Sequence, residues 1–466
     1  MSAKSICISP ENTGLWEVQQ TSEAAAKASE LLNHDLENHH VFLNNKGFHD
    51  HMPHHILALY GTGASVAQLE RAYSLRDSLQ RAVEPRHGDI VSALAASWDN
   101  AAPYLGRDEY YPDFLAHFQQ VIDDKGYEAV VNEYLFKGDA HANDLLIRLH
   151  AGVLHSLLQL MFALEWKQPA IVAEALAQTC VHQRDGLDGL LLKSERRARH
   201  VSQPAKMPTL LSLFQGLRAD PQLQRAARFT DSNKIRDGIL QRAEEAMLAA
   251  LAQVHVGEDE VEERTAEMLH TIIYVASSAA IHPPHYVKYD FFLMHHVNSA
   301  IFYLTINKQA WISPADKARL LEWKIRMDFL EYVARGCPEI SLEGIVSYES
   351  KRPIEGSVRE IGLLLQDFGD DGHAIKQARV NALCHELMSK YDDKPWAVLK
   401  GDDIWRKIQA MTVDAVEGPG VLYVRSGGFE EVWKDVPLQS APRRNSDALR
   451  ALQAGSGASP EALATS

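Results

Sequence analysis

The chain has 466 residues, 46% hydrophobic and 23% charged, a composition that supports a buried core and excludes a largely disordered protein. Forty-seven basic against sixty-two acidic residues leave a net charge of -15, so nothing global attracts a phosphate backbone and no nucleic-acid partner is expected. Cys7, Cys180, Cys337 and Cys384 lack the paired spacing of a disulfide framework or zinc ribbon, and a reducing, cytoplasmic setting is expected.

In chain order, the first marked feature is FHDHMPHHILALY, residues 48–60. Seven of the 22 histidines lie between His34 and His55. Pro53 suits a first helical turn, which puts His51 near the start of a helix and His54 and His55 on its first turn. Gly61-Thr62-Gly63-Ala64-Ser65 could pass for a dinucleotide loop. A helix precedes it, however, and Ser65 with Gln68 makes a capping box that opens a helix over Val66 to Ala82, so it reads as a helix–helix turn.

Helical periodicity continues at about 113–136, 142–166 and 169–181. The most apolar stretch, Val153 to Trp166, is interrupted by His155, Ser156 and Gln159 and is too short to span a bilayer; no membrane role is expected. The basic run Lys193 to His200 reads as a solvated face among loop residues, and a loop over Lys193 to Pro208 is the one place a domain boundary would fit. Helical runs resume at about 235–254, 259–280 and 286–306. Ser313-Pro314 then starts a helix over Ala315 to Ala334, followed by runs at 357–367, 372–391 and 402–411. Only Gly420 to Arg425 alternates like a strand. The expected architecture is all-α, one large multi-helix domain over 1–438 with a site in its core, followed by a low-complexity tail over 439–466.

No G-x-S-x-G elbow or cysteine nucleophile signature occurs. The histidines are better organised. In GHAIKQARV, residues 372–380, positions 373, 376, 380, 383 and 387 share one helical face, so His373 and Lys376 begin an otherwise apolar stripe. A charged lysine there must snorkel outward or lose its proton. Taken alone the pair reads as a core histidine beside a snorkelling lysine. His155, with Ala151, Leu158 and Phe162 as turn-neighbours, also faces inward, and so does His295 between Phe291 and Phe302. Four segments each offering an inward histidine are economically explained by one shared metal ion, and divalent iron suits imidazole plus one oxygen donor with a position open for O2.

The motifs FHDHMPHHILALYGTGAS (48–65), GVLHSLLQLMFALEW (152–166), KYDFFLMHHVNSAIF (288–302) and GHAIKQARV (372–380) resemble the questin oxidase-like family, which includes fungal enzymes of aromatic polyketide pathways. The likeness runs in order from roughly residue 40 to 410. It is nearest to the anthraquinone-ring-cleaving non-haem iron dioxygenases. The resemblance implies an Fe(II) site of four histidines and a carboxylated lysine, carried here by His51, His155, His295, His373 and Lys376. A lysine carbamate formed from neutral amine and CO2 is an anionic oxygen donor, which would resolve the lysine on the apolar face. Which of His51, His54 and His55 binds metal stays open; His51 is favoured, with His54 or His55 as a proton-transfer group facing substrate and His49 left to solvent. Beyond the ligand His295 the family often has a hydroxyl. This chain has Asn298, then Ser299, which leaves Asn298 as the candidate there and His296 as a structural neighbour.

The expected function is therefore an Fe(II)- and O2-dependent dioxygenase that cleaves the quinone ring of a reduced anthraquinone. The alternatives are an NADPH-consuming Baeyer–Villiger-type monooxygenase on an anthraquinone and a non-catalytic helical protein that binds a metal or other ligand. With no dinucleotide loop of its own, the chain would draw on NADPH through a partner reductase that makes the hydroquinone.

Overall fold

The computed structural model describes residues 2–44, 47–200, 206–351 and 355–439, so nearly all of the tail expected from residue 439 lies outside the described residues. The architecture is helical throughout. In chain order the principal helices are α1 (Ser22–Asn38), α2 (Met52–Gly61), α3 (Val66–Ser74), α4 (Tyr111–Lys125), α5 (Ala140–His150), α6 (His155–Glu165), α7 (Pro169–Val181), α8 (Leu187–His200), α9 (Leu210–Ala219), α10 (Val261–Ala279), α11 (Phe291–Ala300), α12 (Pro314–Ala334), α13 (Val358–Leu363), α14 (His373–Met388) and α15 (Asp402–Glu417). Every residue of α2, α6 and α7 is buried, as all-round apolar sequences require. One apolar core runs from Ala3 to Val416, and a small second cluster gathers Val424, Trp433 and Val436.

Sequence cues set several boundaries. The reciprocal capping box of Ser65 and Gln68 opens α3. Ser313 caps α12 ahead of Pro314. The Gly61–Gly63 turn joins α2 to α3, as the helix–helix reading requires.

Elsewhere backbone geometry overrides periodicity. The helix expected to Ala82 stops at Ser74, because Leu75 and Leu79 are half exposed and have no core to face. The 113–136 run breaks at Gly126, φ 81°. The 142–166 run breaks between His150 and His155, and its two halves meet at 68°. The 286–306 run begins only at Phe291, where the Asp290 carboxylate accepts from the Phe292 and Leu293 amides. The basic run is not loop but the C-terminal half of α8, solvated and paired, with Lys193 to Glu244 at 2.7 Å and Arg197 to Glu245 at 3.1 Å. The strand-like stretch makes one isolated bridge, Asp290 to Val424, and no strand forms among the described residues. No single helix among them is long and apolar enough to cross a membrane.

What positions the site is a closed circuit of packing. α2 packs on α6, α6 on α11, α11 on α14, and α14 back on α2. Each of these four helices, or the residue that caps it, brings one histidine to a common centre.

Candidate metal centre

His51 immediately precedes α2, His155 and His373 are the first residues of α6 and α14, and His295 lies one turn into α11. Their rings form a quadrilateral in the same order as the helices. Centroids are 4.9 Å apart for His51–His155, 4.8 Å for His155–His295, 4.6 Å for His295–His373 and 4.6 Å for His373–His51. All four side chains are buried.

The outward nitrogens fix which atoms face in. His155 Nδ1 donates to the Gly152 carbonyl at 2.6 Å and His295 Nδ1 to the Phe291 carbonyl at 2.6 Å. His373 Nδ1 donates to Asp371, whose other carboxylate oxygen lies 3.2 Å from His51 Nδ1. These partners assign the tautomer: Nδ1 carries the proton and Nε2 turns its lone pair inward. Burial, and after it the Lys376 charge, takes His51 down to about 4. Burial takes His155 and His295 well below their ordinary value. These three rings are neutral at physiological pH.

Rings so oriented point their Nε2 atoms at one another. His51 Nε2 is 2.8 Å from His155 Nε2, and His373 Nε2 is 3.0 Å from His295 Nε2. Without a proton or cation between them such pairs repel. Nitrogens sharing one ion at about 2.1 Å in adjacent positions stand about 3 Å apart, so the donor set fits a transition metal ion. The possible ligand atoms of His51, His155 and His295 lie within 4.8 Å of one another.

Lys376 sits one turn after His373 on α14, 2% exposed, its Nζ without a hydrogen-bond partner. Burial lowers its amine to about 8, with Asp371 and Asp370 pulling the other way. An uncompensated buried amine of this kind is costly as ammonium and suited to modification or ligation.

His54 is fully buried, stacked on Phe162 at 5.6 Å, with both ring nitrogens unpartnered. His55 packs so closely on Gly372 that a Cβ there would lie 2.7 Å from its Cγ. It also lines a cavity of about 30 Å³ with His51 and Asp371, room for one water-sized molecule. Asn298 is buried, its Nδ2 3.4 Å from the His373 carbonyl and its Oδ1 unpartnered. His296 donates to Asp328 at 2.6 Å on the far side of α11.

His49 is not left to solvent. It stacks on His155 at 3.8 Å and 9°, and its Nε2 lies 2.8 Å from that of His182. The bridge between Phe42 and His49 folds the segment back over the site. Asp371, which serves two of the four imidazoles, escaped the sequence reading. Its signal was an acidic residue two positions before an inward histidine.

A family model described as questin oxidase-like matches residues 48–381, a span that contains all four imidazoles, Asp371 and Lys376. The chain belongs to the questin oxidase-like family. Among the family's curated members, the Baeyer-Villiger oxidase AgnL3 of Paecilomyces divaricatus is 33% identical over 432 residues, covering 91% of this chain and 93% of the relative. Questin oxidase of Aspergillus fumigatus is 32% identical over 425 residues, covering 89% and 94%. The oxidoreductase AflY of Aspergillus parasiticus is 34% identical over 398 residues, covering 84% and 79%. These family members are oxidoreductases by name, and AgnL3 is named for a Baeyer–Villiger oxidation rather than for the dioxygenase reaction expected from the sequence.

Proposed function

We propose that this chain is an O2-dependent oxidoreductase that opens the quinone ring of an anthraquinone-type polyketide by Baeyer–Villiger-type oxygen insertion, at a centre where His51, His155, His295 and His373 hold divalent iron. The observation that carries the metal is the convergence of four Nε2 atoms, two pairs of them at 2.8 and 3.0 Å. The relatives' names carry the reaction class. When bound, iron supplies an electron source for O2 reduction next to the substrate.

The chain's own residues do the rest. Asp371 and the Gly152 and Phe291 carbonyls hold the ligand rings in the donor tautomer. Lys376, as its carbamate, adds an anionic oxygen donor. His54 and His55 are the proton-transfer groups; His54 keeps two unpaired ring nitrogens for that purpose. Asn298 offers an unpaired carbonyl oxygen as acceptor for a substrate hydroxyl. The surrounding apolar core excludes water. NADPH enters through a partner reductase that forms the hydroquinone; the Gly61–Gly63 turn, the one set beside a capped helix start, joins α2 to α3 rather than a strand to a helix. The scattered thiols, three of them buried, go with a reducing cytoplasm.

The imidazole circuit itself favours a second reading, the ring-cleaving dioxygenase. Isotopically labelled O2 given with pre-reduced anthraquinone decides between them. One labelled atom in the product and a requirement for further reductant support oxygen insertion. Two labelled atoms without NADPH support the dioxygenase, and no turnover by iron-loaded protein sinks both in favour of a helical metal-binding protein.

A further inference from the structure

Behind the histidine circuit lies a cavity of about 380 Å³. Its wall includes His150, Gly152 and Val153, the segment that leads directly into His155, and Phe292, three residues before His295 on α11. The segment is held in an unusual conformation: Gly152, Val153 and Leu154 all have positive φ, at 56°, 55° and 63°. For a β-branched valine this is a genuine outlier, of the kind that persists where surrounding structure demands it. It turns one side of the segment toward the metal centre and the other toward the cavity.

The lining has a definite chemistry. Arg335 is buried, stacked 4.0 Å over Phe292, with its Nε 2.9 Å from Glu331 and its Nη1 3.2 Å from Ser426. Lys234 stands over the rings of Phe229 and Phe429, and Arg425 lies 4.7 Å over Phe291. The Phe291 ring is 4.5 Å from His295 and 5.2 Å from His373. His150 is completely buried. Its Nδ1 donates to the Leu146 carbonyl at 2.9 Å, which leaves Nε2 as an acceptor, and that Nε2 has no partner.

We propose that this cavity is the binding chamber for a flat hydroxylated aromatic, its ring laid along Phe292, an acidic or carbonyl oxygen held by Arg335, and a phenolic hydroxyl donated to His150 Nε2. The volume suits a fused tricyclic ring system. Aromatic and guanidinium faces suit its π-surface, and the cations suit its acidic oxygens. A buried acceptor left unpaired discriminates strongly for a ligand that carries the matching O–H. Arg425 on Phe291 links the chamber to His295 and His373.

This inference rests on the assignment of an anthraquinone-type substrate, and binding separated from turnover tests it. Chelator-treated full-length protein under nitrogen is titrated with the dihydroxyanthraquinone chrysazin and with unsubstituted anthraquinone, following protein fluorescence. Wild type is expected to prefer chrysazin roughly tenfold. Ser232 is exposed on the chamber wall, so Ser232→Trp fills the space without removing a core contact and is expected to weaken both ligands roughly tenfold. His150→Leu is expected to abolish the preference for chrysazin while anthraquinone still binds, and His150→Gln, which keeps an acceptor, to restore part of it. Unchanged affinity in Ser232→Trp, or an undiminished preference in His150→Leu, overturns the chamber. If wild type binds as described but iron-loaded enzyme never oxidises the bound ligand, the oxidation reading fails and the chamber stands. If turnover is intact in Ser232→Trp, the chamber fails and the oxidation reading stands.

Discussion

Gly372→Ala perturbs a tight junction of the candidate centre. Gly372 has φ +85° and ψ 7° and directly precedes His373. Its carbonyl accepts from the Lys376 amide at 3.1 Å and its amide donates to Asp370 at 2.9 Å, so the turn cannot relax without disturbing the start of α14. A residue with a Cβ in the left-handed region costs about 1–2 kcal/mol. The new methyl would meet His55 Cγ at 2.7 Å and Cβ at 2.8 Å. Those atoms lie at the root of a buried ring rather than at a flexible tip, and overpacking of this kind costs about 1–3 kcal/mol. Restricting the unfolded chain returns about 0.4–1 kcal/mol. The net is a destabilisation of about 1–4.5 kcal/mol, read as a lower urea midpoint at unchanged slope in chelator-treated protein. Asn at 372 tolerates the dihedrals but keeps the clash, and is expected to recover only the smaller part. A loss below about 1 kcal/mol in Gly372→Ala would refute the reasoning, because neither strain nor contact would then operate as described.

Lys376→Met is expected to lose the metal in elemental analysis while raising the stability of metal-free protein by about 1–2 kcal/mol, since it removes a buried amine without a partner; a short-chain carboxylate is expected to restore part of the metal. Unchanged metal content would remove Lys376 from the centre. Asp371→Ala is expected to weaken metal binding about 10–100-fold in a competition titration, because two ligand rings lose the acceptor that orients them. Away from the centre, burial takes His270, whose Nε2 accepts from the Leu399 amide at 3.0 Å, down to about 3. Its folded value lies below the unfolded one near 6.5, so its stabilising contribution is full above that pH and is lost as pH falls toward 3, on the order of 5 kcal/mol in all. His270→Gln keeps an acceptor but does not titrate, and is expected to flatten the acid limb of stability measured from pH 7 to 4; an equally steep limb would count against it.

His155, His295 and His373 were legible because each sits on an apolar helical face, where a polar ring needs a reason to be, whereas His51, just ahead of α2, could be told from His54 and His55 only with the family resemblance. Periodicity does not register a bend of 68° within one apolar run, and so His155 was read mid-helix although it begins α6. Asp371 was overlooked because a loop acid carries no periodic signal; only the orientation of His51 and His373 reveals its task. His49 was misplaced for a related reason, since its burial depends on a single backbone bridge to Phe42 that alternation in an eight-residue window cannot show. Helix α1 has only alanines on the buried face of its first two turns and reaches Leu32 and Leu36 late, so its amphipathic signal is weak.

The placement of the candidate ligands also bears on the charge such a centre can accept. His51, His155 and His373 stand at the N-termini of α2, α6 and α14, where helix dipoles disfavour positive charge. That agrees with neutral rings at His51 and His155, but it also makes a divalent ion among these imidazoles unfavourable unless negative charge accompanies it. Asp371 supplies one such charge in contact with two of the rings. A protonated Lys376 would cancel it, whereas a carbamate on the same nitrogen would neutralise the remaining charge of the ion. Helix polarity, burial and the orphaned amine therefore favour the same anionic form of Lys376, and metal binding and carboxylation of that lysine are expected to rise and fall together as dissolved CO2 is varied.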